Sequence, residues 1–353
     1  MNPERLRSLD VFRGLTMLLM LLVNNIALDV DTPAQLLHAD FGQGVHAADL
    51  VFPWFLFIVG VALPLAASSW YRRGGTVWGW RRKAARRCVN LFLLGCLIDI
   101  SLYKQFNIYM DVLQLIALAY WAASFFHDLP AARRMGLAAF LLAWHWALCR
   151  FVPPPGAPVG WFHGDWNILA WIDQTWLVRC RLWGLVGVVP TTALVLLGSL
   201  AGDVLRSGLS AELRYRRLAL MALVCIGSGL LVNLSIPFSK TWWTSSYILY
   251  TGGWGVAVLA VLHWLVDARG VSCFPLQVFG MNAMAVYVAP IVVKLHTLQE
   301  WYVGKTLLGD RLMGVFFHHF GRYAGGWIYT WCYVGVCWLI AWGMYRKKWF
   351  WRV

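Results

Sequence analysis

Ten apolar stretches, each near the length that crosses a bilayer as a helix, recur along this chain and leave few architectures open. They fall at about 11–29, 49–70, 88–103, 110–127, 134–152, 185–202, 216–234, 245–266, 274–294 and 325–345, the third being short. A helical span needs about 20 mostly apolar residues, and in lipid only helices or closed barrels satisfy their own backbone. The chain is 60% hydrophobic and 13% charged, where a soluble domain is roughly 45–50% apolar and about 25% charged. The expected fold is all-α: a polytopic membrane helix bundle of about ten transmembrane helices in a lipid bilayer, with 1–353 forming a single domain.

The net charge of +14 suggests nucleic acid until its distribution is examined. Basic residues fall in short clusters between the apolar stretches, as in membrane proteins, so no nucleic-acid partner is expected. One alternating set of loops holds 20 of the 30 Lys and Arg. It comprises Arg5 and Arg7, seven in the 71–87 loop, Arg133 and Arg134, four in the 203–217 loop, Arg269, and the tail with Arg346, Lys347, Lys348 and Arg352. The opposite set holds nine: Lys104, Arg150, Arg179, Arg181, Lys240, Lys294, Lys305, Arg311 and Arg322. Arg13 lies inside the first stretch. The positive-inside rule places both termini in the cytoplasm and the 36–48 loop outside. Segments 153–184, 235–244 and 295–324 then also face outward; the first, PPPGAPVGWFHGDW at its start, reads as a lid more than a linker. Many of the 23 tryptophans cluster at span ends, as an interfacial belt does.

The eight cysteines show no CxxC pair and no zinc spacing. Cys149 and Cys180 fall near one membrane face, where a pairing is conceivable, but cysteines within spans behave as small apolar residues. His318–His319 has no third ligand at a recognisable spacing, so no metal site is expected. Neither GxSxG nor a P-loop nor a Rossmann fingerprint is present.

The residues that can carry chemistry concentrate at the mouth of the second apolar stretch, in LLHADFGQGVHAADLVFPWFLFIVG (36–60). A histidine and a carboxylate beside an apolar span are expensive to place and mark function. His38 and His46 both lie there; a neutral imidazole accepts a proton near pH 7 and hands it on. Asp49 either caps the helix that follows or orients a histidine. Asn24 and Asn25, near the outer end of the first stretch, either hydrogen-bond between helices or donate to a developing oxyanion. Asp10 and Arg13 read as an ion pair near the inner face, with a phosphate as the alternative partner of Arg13. The 71–87 loop, with Arg72, Arg86 and Arg87, is an orientation signal and also suits an anionic cytoplasmic ligand.

RLRSLDVFRG, then VNN, then HADFGQG followed by ADLVFPWFLFIVG resemble the heparan-alpha-glucosaminide N-acetyltransferase family of transmembrane acetyltransferases, in its short bacterial form without a lumenal domain. The likeness continues through VLQLIALAYW (112–121), NILAWID (167–173), GLVGVVPTTALVLLG (184–198), KTWWTSSYILYTGG (240–253), VFGMNAMAVYV (278–288) and the terminal YRKKWFWRV. It covers essentially the whole chain, and ADLVFPWF, WTSSY and FGMNA in this order carry it.

The resemblance implies that an acetyl group passes from cytosolic acetyl-CoA, across the membrane, to the amino group of an amino sugar such as glucosamine. It implies His38 as the catalytic histidine of the H-A-x-W-x-G segment and Asn24 as the active-site asparagine, while His46 does not match. Asp49 is placed to orient His38. Arg13, Asn25, Arg72, Arg86, Arg87 and Asn282 become candidates for holding the cofactor acetyl-CoA. A homodimer and the bacterial inner membrane follow from the family, with the His38 loop facing the periplasm. The chain departs from the family pattern in three places. One extra residue separates His38 from Gly44, and Phe41 replaces the usual Trp. The family's GVLQR reads DVLQL, so that Asp111 replaces Gly and Leu115 replaces Arg. The acidic D-P-E-G turn reads RLWG at 181–184. Rival readings of the same polar residues are a transporter for a sugar or cell-wall fragment and an O-acyltransferase of an envelope glycan.

Overall fold

The computed structural model describes residues 6–105 and 108–351, so that Arg5 and Arg352 of the charge count lie outside the described residues. The chain is helical almost throughout. In order come α1 (Arg7–Asn25), α2 (Ala47–Arg72), α3 (Val77–Tyr103), α4 (Val112–Ser124), α5 (Ala131–Phe151), the short α6 (Ile168–Ile172), α7 (Val188–Arg206), α8 (Ala211–Asn233), α9 (Ser245–Leu262), α10 (Phe274–Met281), α11 (Ala283–Val293), α12 (Leu308–Phe320) and α13 (Arg322–Arg346). Among the described residues, strands are limited to two-residue pairs. β1 (Ile108–Tyr109) runs parallel to β2 (Leu182–Trp183), and β3 (Tyr302–Val303) is antiparallel to β4 (Thr306–Leu307).

The expected count of ten spans is not confirmed. Among the described residues, five helical segments are long and apolar enough to cross a membrane by themselves, or six if the bent pair Phe274–Met281 and Ala283–Leu298 counts as one. The other long helices are diluted by polar residues: Asp10, Arg13, Asn24 and Asn25 in α1, Arg134, His145 and Arg150 in α5. α4 has only 13 residues.

Two further boundaries differ from the sequence reading. The 71–87 segment is a loop only as far as Thr76, whose Oγ1 accepts the Gly79 N–H at 3.1 Å and caps α3. Arg81, Arg82, Lys83, Arg86 and Arg87 therefore ride on the first turns of a 27-residue helix. The apolar stretch 274–294 is broken at Asn282, where α10 and α11 meet at 76°. Cys149 and Cys180 are both free thiols.

Close helix contacts are made by glycine. A Cβ on Gly60 of α2 would collide with the Val195 carbonyl of α7, and one on Gly198 of α7 with the Phe57 carbonyl of α2. Gly14 of α1 and Gly280 of α10 make the same reciprocal approach through the Leu276 and Asp10 carbonyls. Without a hydrophobic drive between helices in lipid, small residues that let backbones approach supply the dispersion contact. The main core sits among α2, α4, α7 and α9, around Phe57, Ile116, Leu194 and Tyr247.

Loops meet in the same two groups that the charge count defines. At one end, the Arg7 amide donates to Asp267 (3.0 Å), Tyr71 donates to Asp128 (3.4 Å) and Arg134 pairs with Asp203. At the other end, Lys294 donates to the Asn24 carbonyl (3.0 Å), Lys104 to Glu300 (2.8 Å), and the Met110 amide to Trp183 (2.8 Å). α1 and α2 run between the two ends, and the 36–48 loop belongs to the end poorer in basic residues.

Candidate active site

The loop between α1 and α2 is built so that one carboxylate organises it. Asp49 is the third residue of α2, and His46, not Asp49, is the N-cap position. Asp49 Oδ2 accepts the main-chain N–H groups of His46 (3.1 Å) and Ala39 (3.0 Å), and Oδ1 lies 2.8 Å from His38 Nδ1. Asp49 is therefore not the N-cap that the sequence offered; from the third helical position it accepts the N-cap main-chain N–H and lies within hydrogen-bond distance of His38. The positive end of the helix backbone favours a charge there, and the donors replace the water that burial removes. The Asp49 side chain is 4% exposed and that of His38 51%, so the carboxylate is shielded while the imidazole faces the open side.

An ionised carboxylate only accepts, so His38 Nδ1 carries the hydrogen, an arrangement that in a neutral imidazole leaves the lone pair on Nε2. His46 is committed elsewhere, its Nδ1 lying 3.0 Å from the Leu37 carbonyl. The extra residue before Gly44 is absorbed in a turn closed by Gln43 N–H to Asp40 O (3.1 Å), with Gly42 at φ +81° and Gly44 at φ +105°. Side chains rarely adopt such φ values and glycine adopts them freely.

His38 and Asp49 stand at the rim of a cavity of about 500 Å³. Asn24 also lines it. Below Asn24 the wall turns apolar, with Met17 and Met20 of α1, Phe55 of α2, Ile116 of α4 and Met284 of α11. Met17 lies seven residues from Asn24, or roughly 10 Å along a helix at 1.5 Å per residue. Leu115 is buried and forms part of this apolar wall. Segment 153–167 folds over the rim: Phe41 packs on Phe162 and His163 at ring separations of 6.0 and 5.7 Å, and Gly164 and Asp165 line the cavity.

Lys240 is the residue that sequence reasoning missed. Its Nζ lies 3.0 Å from His38 Nε2, 3.1 Å from Nδ1 and 4.0 Å from Asp49 Oδ1. Being almost equidistant from the two ring nitrogens, the amine lies over the imidazole face, close to Nε2 but off its in-plane lone pair. Burial pulls the Lys240 amine below the usual lysine range, and the carboxylates of Asp49 and Asp111 oppose that shift. The turn that presents it is held by Thr244 Oγ1, which accepts the Ser239 N–H at 3.0 Å, and by Trp243 in the left-handed region at φ +52°. A non-glycine residue so placed stores strain, a feature that clusters at functional sites. The signal available in the sequence was a lone lysine opening KTWWTSSY on the side poor in basic residues.

Asp111 is a second addition. It caps α4, its Oδ1 accepting the Val112 N–H at 2.9 Å, and it lines the cavity. The parallel β1–β2 pair sets it beside the RLWG turn, where Gly184 N–H donates to Asp173 Oδ2 at 3.0 Å. Burial pushes the Asp173 carboxyl up. Tyr247 of α9 donates to the Asp49 main-chain carbonyl at 2.5 Å, fixing the first turn of α2 from the opposite side.

The remaining sequence candidates do not gather at the cavity. Arg13 pairs with Asp10 at 3.3 Å, one helical turn below Met17. Asn25 donates to the Leu21 carbonyl (2.9 Å) and accepts from Lys294 (3.2 Å). Asn282 is fully buried at the break between α10 and α11; its side-chain N and O have no hydrogen-bond partner among the described residues, and it does not line the cavity. Arg72 and Arg86 are exposed at the basic end. Arg87 lies over the Tyr120 ring at 4.7 Å, as Arg81 lies over Phe125 and Lys83 over Trp70.

Comparison with known proteins places these residues in context. A sequence model described as the heparan-alpha-glucosaminide N-acetyltransferase catalytic region matches residues 5–237, which hold Asn24, His38, Asp49 and Asp111. Heparan-alpha-glucosaminide N-acetyltransferase from Homo sapiens is 25% identical over 417 positions, covering 99% of this chain and 60% of that protein. The protein of the same name from Mus musculus is 25% identical over 418 positions, covering 100% of this chain and 61% of its own length. The chain thus spans less than two thirds of the length of these relatives. With about two thirds of its residues matched and the His38–Asp49 loop inside the match, the chain belongs to the heparan-alpha-glucosaminide N-acetyltransferase catalytic family.

Proposed function

We propose that this chain is a membrane acetyltransferase that moves an acetyl group from acetyl-CoA to the amino group of an amino sugar, with His38 as the base. The observation that carries the reading is the His38–Asp49 pair at the rim of a cavity whose floor is apolar. His38 Nε2 takes a proton from the acceptor ammonium, and Asp49 holds the tautomer and stabilises the imidazolium. The free amine attacks the thioester carbonyl, and Asn24 donates to the oxyanion that forms. The apolar floor suits a pantetheine arm entering from the basic end. There Arg13, Arg72, Arg86 and Arg87 are the groups proposed to meet the nucleotide; Asn25, held by Lys294 at the opposite end, and Asn282, which does not line the cavity, are left out of that path. The positive-inside rule puts that end in the cytoplasm and His38 outside, in a bacterial cell facing the periplasm.

The charge of the rim supports a cationic acceptor. Asp40, Asp49, Asp111 and Asp165 line the cavity against one lysine, Lys240, in a chain whose net charge is +14. Asp111 supplies a carboxylate beside the turn where the family's acidic residues are missing. The test is reconstitution in vesicles with acetyl-CoA on the side of the termini and a panel of amino sugars, with hydroxyl analogues, on the other. N-acetylated sugar on the far side is expected. Acetylation of hydroxyl acceptors alone, or sugar uptake that needs no acetyl-CoA, would overturn the reading.

A further inference from the structure

We propose that Lys240 is itself an acyl acceptor: its side-chain amine occupies the place of the acceptor nitrogen beside His38 and becomes acetylated when no acceptor is bound. The proposal rests on the acetyl-donor reading above and goes beyond it by assigning a modification site. Three observations carry it. Nζ lies over the His38 ring, 3.0 Å from Nε2 and 3.1 Å from Nδ1, so rotation about the lysine side chain carries the amine to the in-plane lone pair of Nε2, where a base takes a proton. Lys240 lines the same cavity as Asn24 and the apolar floor. Its backbone is fixed by the 235–244 turn and by Trp242, whose Nε1 donates to the Gly164 carbonyl at 2.6 Å, so the amine is held at the rim.

The chemistry balances within the site. The Lys240 ammonium gives one proton to His38 Nε2. The nitrogen lone pair then attacks the thioester carbon, so that a C–N bond forms and the C–S bond breaks. The departing CoA thiolate takes the second proton shed by nitrogen. Lysine ammonium and acetyl-CoA become acetyl-lysine, CoA thiol and one released proton. The amide no longer carries charge or basicity, and its acetyl group stands against His38. The modified protein is therefore closed to further turnover, and an acceptor sugar protects the lysine by displacing it.

Purified protein is incubated with isotopically labelled acetyl-CoA, with and without glucosamine, and label is mapped on peptides by mass spectrometry. Lys240 should gain label at least tenfold faster than the exposed Lys305 and Lys347. The gain should fall at least tenfold in both His38→Ala and His38→Gln, and glucosamine at saturation should suppress it. Label on Lys240 no faster than on Lys305 and Lys347, or unchanged in a folded His38 variant, overturns the proposal. Glucosamine acetylation measured in the same tubes separates the two claims. Sugar product without Lys240 label sinks the self-acetylation alone, label without sugar product sinks the amino-sugar acceptor alone, and neither product sinks both.

Discussion

His38 Nδ1 and Asp49 Oδ1 meet at 2.8 Å across eleven residues of chain, and the same carboxylate holds the Ala39 and His46 amides. A neutral amide at position 49 can still accept one bond but cannot stabilise an imidazolium. Asp49→Asn is therefore expected to lower acetyl transfer by about 10²-fold or more, within the range of general-base effects. His38→Ala should abolish transfer while acetyl-CoA binding stays within a few-fold. Steady-state transfer and donor binding on purified variants check both, and full transfer by a folded His38→Ala variant would remove His38 from the mechanism.

His46 gives the contrasting outcome. Its Nδ1 lies 3.0 Å from the Leu37 carbonyl, and its main-chain N–H donates to Asp49 at the start of α2. His46→Ala should leave transfer within a few-fold and lower stability by no more than about 1 kcal/mol, the usual scale of a lost cap. A dead His46 variant beside a live His38 variant would reverse the assignment of the two histidines.

What was legible in the sequence follows from which signals are local. The alternation of basic clusters sorted the loops into two groups, and the contacts Arg7–Asp267 and Lys294–Asn24 respect that sorting. His38, Asn24 and Asp49 stood out because polar groups beside apolar spans are conspicuous. The start of α3 was not legible, since Arg81, Lys83 and Arg87 read as a solvated loop until their cations are seen lying on Phe125, Trp70 and Tyr120. The break at Asn282 was hidden because the residues on both sides are apolar and hydropathy does not register a bend. Lys240 stands 202 residues from His38, and only tertiary packing brings them together.

The α2–α7 seam predicts a stability effect that has no catalytic content. Gly198→Val would press a branched side chain onto the Phe57 carbonyl and the Gly60 Cα. Overpacking typically costs about 1–3 kcal/mol, so the thermal unfolding midpoint in detergent should fall clearly, with Gly198→Ala intermediate. An unchanged midpoint in Gly198→Val would mean that the two helices do not approach this closely.

Lys240 makes stability depend on pH with a definite sign. Burial lowers its folded pKa below that of an unfolded lysine, about 10.4. Between those two values the unfolded chain holds a proton that the folded protein has released, so stability from this group rises with pH across that window. Below the window the penalty of a buried ammonium is fully present. Lys240→Met removes the ionisation, so its midpoint should exceed that of the parent at neutral pH and the gap should close as pH approaches 10. A gap that widens with pH would show that the charged lysine is net stabilising.

The apolar floor predicts a donor-specific defect. Met20 lies one turn below Asn24 on α1 and lines the cavity, half-buried. Met20→Trp fills that space without adding charge, so the pantetheine path narrows while the rim with His38, Asp49 and Lys240 is untouched. The KM for acetyl-CoA should rise about tenfold, equivalent to about 1.4 kcal/mol of lost donor binding, while the KM for the acceptor stays within two- to threefold. Varying each substrate against saturating partner separates the two. A rise confined to the acceptor would mean that the sugar, and not the acyl donor, occupies the Met17–Met20 wall.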